Sequence, residues 1–219
     1  MDDRLGPPKR GEWRAVFDER PQSLDDYVST CAHRRTAARS VLHLQPLGSA
    51  AERTGLLESL RARAADFFGL PVRVGGPLPM IDDGWSPQTR RQNASILIDR
   101  LAPRAPDDAL VFLGIVDVDL FARGLPWVFG EGNFANRCGV MSLARMRTTE
   151  RALKLMTHEA CHALSIAHCT TRRCLMQGSN SLREFDATPA ELCSIDREKL
   201  RWAVGSLSEN RVLAPPTGA

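Results

Sequence analysis

The sequence predicts an α/β (α+β) fold: one compact domain with a mixed, twisted sheet packed on helices. Three observations carry this reading. Strand-like and helix-like runs alternate from about residue 40 onward. Ala109 to Val116 is apolar throughout, the pattern of a central strand buried on both faces. A chain of 219 residues, 43% hydrophobic and 25% charged, suits a single domain with a sizeable core.

Taken in order, residues 1–38 differ from the rest. They carry Pro7, Pro8, Pro21 and mixed charges, with one helix expected over Ser23 to Arg35. They read as an N-terminal extension that packs on, or frays from, a main domain at 39–209. Ser40 to Pro46 reads as the first strand. Ala50 to Phe68 places Leu56, Leu57, Leu60, Ala64, Phe67 and Phe68 at helical spacing, and Gly69 closes it. Leu70 to Val74 is a short strand, stopped by Gly75-Gly76-Pro77. After a long loop through Asp82 to Pro87, a helix is expected over Gln88 to Leu101. The apolar strand at Asp108 to Val116 follows. Val128 to Arg145 reads as strand, turn, strand, and Thr149 to Ser165 as a helix capped by Thr148 or Thr149. Regular patterning then fades until a helix at Pro189 to Val204. The tail, 210–219, reads as disordered.

Composition narrows function. A net charge of +3 is too small a surplus to single out nucleic acid as a partner. No run approaches the roughly eighteen apolar residues of a membrane span. The opening residues lack the apolar stretch of a secretory signal, so a cytoplasmic location is expected. In a reducing compartment the six cysteines are poor candidates for disulfides; Cys161, Cys169, Cys174 and Cys193 crowd together as metal ligands would.

His158-Glu159-Ala160-Cys161-His162 is an HExxH sequence on the expected helix. Residues four apart share a helix face, so two imidazoles converge on one ion, while Glu159 reaches a water on that ion. His168 follows six residues after His162, beyond the end of the helix. A third imidazole at that spacing can swing back to complete a His₃ site with an open position, as a catalytic zinc requires. Weaker signals read as ordinary. Gly130 to Ala135 matches GxGxxA with no helix after it and is expected to be a turn between strands. His33 and His43 lack ligand-spaced partners, and Arg34-Arg35 and Arg172-Arg173 are solvated surface.

HExxHxxxxxH continues here as His168-Cys169, then Cys174-Leu175-Met176-Gln177-Gly178, then Cys193. This string closely resembles the archaemetzincin family of zinc metallopeptidases. Arg91 to Ala94, Phe112 to Leu120, Val128 to Glu131 and Ser142 to Met146 are also similar to family segments, so the resemblance spans about Ser40 to Leu200. It implies a metzincin-like domain with a C-terminal zinc-binding subdomain. It implies that His158, His162 and His168 bind a catalytic zinc, that Glu159 is the general base, and that Met176 forms the Met-turn beneath the metal. A second, structural zinc is implied at four cysteines, of which Cys169, Cys174 and Cys193 are present. Asp196 stands where the fourth is expected, and a carboxylate is a zinc ligand too. Cys31, Cys138 and Cys161 read as small buried thiols. Ser165 stands where the motif usually has glycine, a position serving a left-handed turn.

The function expected is therefore a zinc-dependent metallopeptidase, a monomer acting on peptide or protein substrates, without nucleic-acid or membrane partners. Cys138 to Met146 is the expected substrate strand, by likeness to metzincin folds. The alternatives are a zinc-stabilised binding module with a vestigial peptidase site, and an enzyme using Glu184 or Glu191 as the third zinc ligand. Because His168 and Cys169 are adjacent, the cysteine cluster is expected to steady the third ligand. Cys174→Ala should then lower catalytic zinc affinity as well as remove the structural metal, which chelator competition measures.

Overall fold

The computed structural model describes residues 4–205; the tail expected at 210–219 lies outside the described residues. The chain opens with α1 (Trp13–Val16) and α2 (Leu24–Thr30), then β1 (Val41–Pro46), α3 (Thr54–Phe68) and β2 (Val72–Val74). Next come β3 (Trp85–Ser86), β4 (Arg91–Asn93), α4 (Ala94–Leu101) and β5 (Ala109–Val116). A hairpin of β6 (Leu120–Ala122) and β7 (Leu125–Val128) leads to β8 (Gly130–Gly132) and β9 (Cys138–Ser142). Three helices finish the described chain: α5 (Thr149–Ala163), α6 (Leu182–Ala187) and α7 (Ser194–Val204).

The main sheet has the order β2-β1-β5-β9-β8. Its first four strands are parallel, and β8 runs antiparallel to β9 at the edge, with Glu131 opposite Val140. Strand β5 is buried along its whole length. Its Val111, Leu113 and Ile115 join the core formed with α3 and α5, while Phe112 and Val116 join a second core under α4. That two-sided burial is what the unbroken apolar run demands. A second, smaller sheet has the order β3-β4-β6-β7. No helix among the described residues is long and apolar enough to cross a membrane.

Several boundaries differ from the sequence reading, each for a local reason. The helix expected from Gln88 starts only at Ala94. Arg90 takes φ 54°, the Gln92 N–H is spent on Asp119 O at 2.9 Å, and Asn93 caps the helix by accepting from the Ile96 N–H at 3.0 Å. Residues 130–132, expected to be a turn, form strand β8. The β6–β7 hairpin and α6 are too short to leave a periodic signal. The expected substrate strand is corrected most: β9 lies inside the sheet between β5 and β8, so the free edge belongs to β8.

The N-terminal residues are stitched to the body. Ser23 and Asp26 form a capping box that starts α2. Tyr27 is fully buried, and its hydroxyl donates to Leu164 O at 2.8 Å. The Arg35 N–H bonds Ala203 O in α7 at 2.7 Å.

Helix α5 lies unusually close to β8, and two glycines make room for it. A Cβ on Gly130 would lie 2.6 Å from the Glu159 side chain, and one on Gly132 would lie 2.3 Å from His162 Cβ. Gly132→Ala should therefore push α5 outward, costing about 3 kcal/mol by overpacking. Thermal denaturation should show the lowered Tm, and the displaced His162 should reduce metal retention.

Candidate metal centre

Helix α5 begins where Thr148 accepts the Arg151 N–H, and it carries His158, Glu159 and His162 inward, all buried. The two histidines are oriented by backbone acceptors. His158 Nδ1–H donates to Leu175 O at 2.8 Å and His162 Nδ1–H donates to Ile166 O at 2.7 Å. A carbonyl can only accept, so each ring carries its proton on Nδ1 and presents a bare Nε2. Those two Nε2 atoms face each other at 3.0 Å. Burial pushes His158 down to about 3 and His162 well below the ordinary imidazole value, so both rings are neutral and hold unshared lone pairs near neutral pH.

The third histidine arrives through a tight reversal. Leu164 ends the helix, Ser165 takes φ 66°, the Ser165 N–H bonds His162 O at 2.8 Å, and the Ile166 N–H bonds Cys161 O at 3.1 Å. This is a Schellman ending with serine in the left-handed position usually given to glycine. The Ser165 hydroxyl is not idle there: it donates to Phe134 O at 3.0 Å. The reversal brings His168 back over the helix, with ring centroids 4.7 Å from His162 and 5.5 Å from His158. One nitrogen from each of the three rings lies within 4.8 Å of the other two.

Glu159 sits beside them, facing a cleft of about 950 Å³ that Glu131, Trp127 and Phe185 also line. Its Oε2 is buried and has no hydrogen-bond partner. Burial, then the charge of Glu131, raises the Glu159 carboxyl well above the ordinary value. Three imidazoles aimed at one point, two of them held neutral by burial, next to an orphaned carboxylate oxygen, form a donor set that fits a zinc ion.

Residue Glu19, which no motif or spacing singles out, meets this centre from the N-terminal segment. Both of its oxygens accept from His168 Nδ1, at 2.9 and 3.0 Å, and Trp13 Nε1 donates to it at 2.9 Å. Burial alone would raise the Glu19 carboxyl, but these bonds outweigh it and hold the group below its ordinary value. Glu184, one of the alternative third ligands, instead accepts the N–H groups of Trp13 and Asn180.

The structure also brings the four residues of the second cluster together. Ligand atoms of Cys169, Cys174, Cys193 and Asp196 all lie within 4.8 Å of one another. Asp196 Oδ2 accepts from Cys174 Sγ at 3.1 Å and from Cys193 Sγ at 3.5 Å. Lys199, buried and one helical turn further on, donates to Asp196 Oδ1 at 2.7 Å. Burial raises the Asp196 carboxyl, with Lys199 opposing, while hydrogen bonds from Cys174 and Cys193 hold the Cys169 thiol far below its ordinary value. Cys31, Cys138 and Cys161 lie outside the group, and Cys161 is fully buried in the core. The clusters are joined by the turn at Cys174 to Gln177. Its Leu175 O holds His158, and its Met176 O accepts the Cys169 N–H at 2.7 Å. Of the ordinary histidines, His33 bonds Phe134 O and His43 bonds Asp108.

Comparison with known proteins gives the arrangement a family. The model of Peptidase family M54 matches residues 106–201. An archaemetzincin of Methanocaldococcus jannaschii is 30% identical over 72% of this chain and 91% of its own length. Archaemetzincin-2 of Macaca fascicularis is 28% identical over 89% of this chain and 68% of its own. The crystal structure of Archaeoglobus fulgidus archaemetzincin, complexed with malonate, superposes with a TM-score of 0.64 at 26% identity. It covers 73% of this chain and 99% of that one.

The left-handed Ser165 makes the approach of His168 testable. A β-branched residue tolerates that conformation poorly, so Ser165→Val should cost about 2 kcal/mol and Ser165→Gly less than about 1 kcal/mol. Denaturant titration of both variants, with bound metal measured alongside, checks the ordering.

Proposed function

Because the chain belongs to the archaemetzincin family of zinc metallopeptidases, we propose that it hydrolyses peptide bonds at the centre formed by His158, His162 and His168, with Glu159 as general base. The observation that carries this reading is the opposed pair of bare Nε2 atoms beside the orphaned Glu159 Oε2. A zinc ion held by the three imidazoles would acidify its water and polarise the scissile carbonyl. Glu159 takes a proton from the attacking water and passes it to the leaving amine, and its buried site strengthens it as a base. Strand β8 offers its free edge to an extended peptide, which would lie across the cleft in front of Glu159. Met176, buried in the turn that holds His158, is read as the Met-turn residue.

A second zinc is proposed at Cys169, Cys174, Cys193 and Asp196. Three thiolates and a carboxylate around a divalent ion leave an excess of negative charge, and the buried Lys199 ammonium offsets part of it. The domain division follows the same reading: a peptidase domain over 39–209 preceded by the extension at 1–38.

Cleavage of a peptide library, read by mass spectrometry, tests the reading. Glu159→Gln should lose kcat on the order of 10²- to 10⁴-fold while retaining zinc. Wild-type protein that holds zinc yet cleaves nothing would favour the binding-module alternative.

A further inference from the structure

His158 and His162 take their Nδ1 acceptors from carbonyls near the site, Leu175 and Ile166. His168 does not. Its acceptor is a side-chain carboxylate 149 residues away, Glu19, in the N-terminal segment. We propose that Glu19 is a positioning residue of the metal centre, one that fixes the tautomer and aim of His168, so that residues 13–22 are a working part of the peptidase. This rests on the metal reading given above.

The surrounding contacts are those of a built support. The Trp13 indole donates to Glu19 Oε2 and stands edge-on to the His168 ring at 5.0 Å between centroids. Trp13 is itself held by its N–H to Glu184 and by close packing on Gly178, where a Cβ would lie 2.4 Å from the indole. Gln22 clamps the connection leading to His168 from both sides. Its Nε2 donates to Ser165 O at 3.1 Å, and its Oε1 accepts the Ala167 N–H at 3.0 Å. Beyond His168, Arg14 donates to Thr170 O and the Leu5 N–H to Thr171 O. The whole stretch 165–171 is thus tied to residues 5–22.

The chemistry follows from the bond direction. A carboxylate accepting from Nδ1–H fixes the tautomer and orientation of a metal-binding imidazole and makes it a stronger donor, and such partners typically alter metal affinity by about 10- to 100-fold. His168 needs this more than its neighbours do, because it stands on a loop and not on a helix.

The test uses the full chain. Zinc affinity is measured by chelator competition, and cobalt-substituted protein is examined through the part of its d–d absorption that His158→Ala removes, which separates the histidine site from the d–d and thiolate charge-transfer bands of the cysteine cluster. Glu19→Ala should weaken the histidine-bound metal about 10- to 100-fold and shift the d–d band. Glu19→Gln, which still offers an acceptor without the charge, should fall between it and wild type. KM for a cleaved peptide should change less than kcat. Wild-type affinity and spectrum in Glu19→Ala would overturn the proposal, as would activity that rises with metal retained, the sign of a segment that obstructs the cleft. His158→Ala serves as the reference. If it leaves the cobalt band unchanged, the metal reading itself fails and the proposal with it. If it abolishes the band while Glu19→Ala is silent, only the proposal fails.

Discussion

Two neutral imidazoles held with their lone pairs facing at 3.0 Å are the arrangement on which the rest of this structure depends. Unshared lone pairs at that distance repel, and burial denies both rings the proton that would relieve the repulsion. The geometry persists because each ring is anchored at its far nitrogen to a carbonyl that cannot yield a proton. Those carbonyls come from two different places, the turn at Leu175 and the reversal at Ile166, so it is the tertiary fold that holds the two lone pairs against each other.

Everything near the centre serves that placement. Strand β8 gives up side chains at Gly130 and Gly132 so that helix α5 can lie against it, which sets Glu159 beside the edge strand of the sheet. The left-handed Ser165 turns the chain sharply enough to return His168 within three residues. Serine is strained there, and its hydroxyl bond to Phe134 O together with the Gln22 clamp on Ser165 O holds the turn in place.

The cysteine cluster and the histidine centre share one short turn. Leu175 orients His158, Met176 binds the Cys169 backbone next to His168, and Cys174 enters the cluster itself. A metal at the cluster would stiffen two of the three histidine positions through main-chain bonds. Asp196 fits the fourth cluster position because Lys199 engages one of its oxygens and leaves the other to face the thiols.

The sequence by itself determined which side chains gather into the two clusters. HExxH with a histidine six residues on, three cysteines and an aspartate carried the site, because ligand spacing along one helix and its exit loop is a local property. It also determined the central strand, since a run such as Ala109 to Val116 has nowhere to go but between two apolar layers. What only the tertiary structure decided were the relations between distant segments: the edge position of β8, the two-stranded β6–β7 hairpin, the start of α4 at Ala94, and above all the meeting of Glu19 with His168. The sequence reading gives Gly130 and Gly132 to a turn, although glycines two apart on a strand can admit a close helix, and it passes over Lys199, one turn beyond Asp196. Glu19 left no comparable mark. A lone carboxylate in a proline-interrupted, charged segment has no periodicity or spacing to announce its partner, and only packing of the extension against the loop brings the two together.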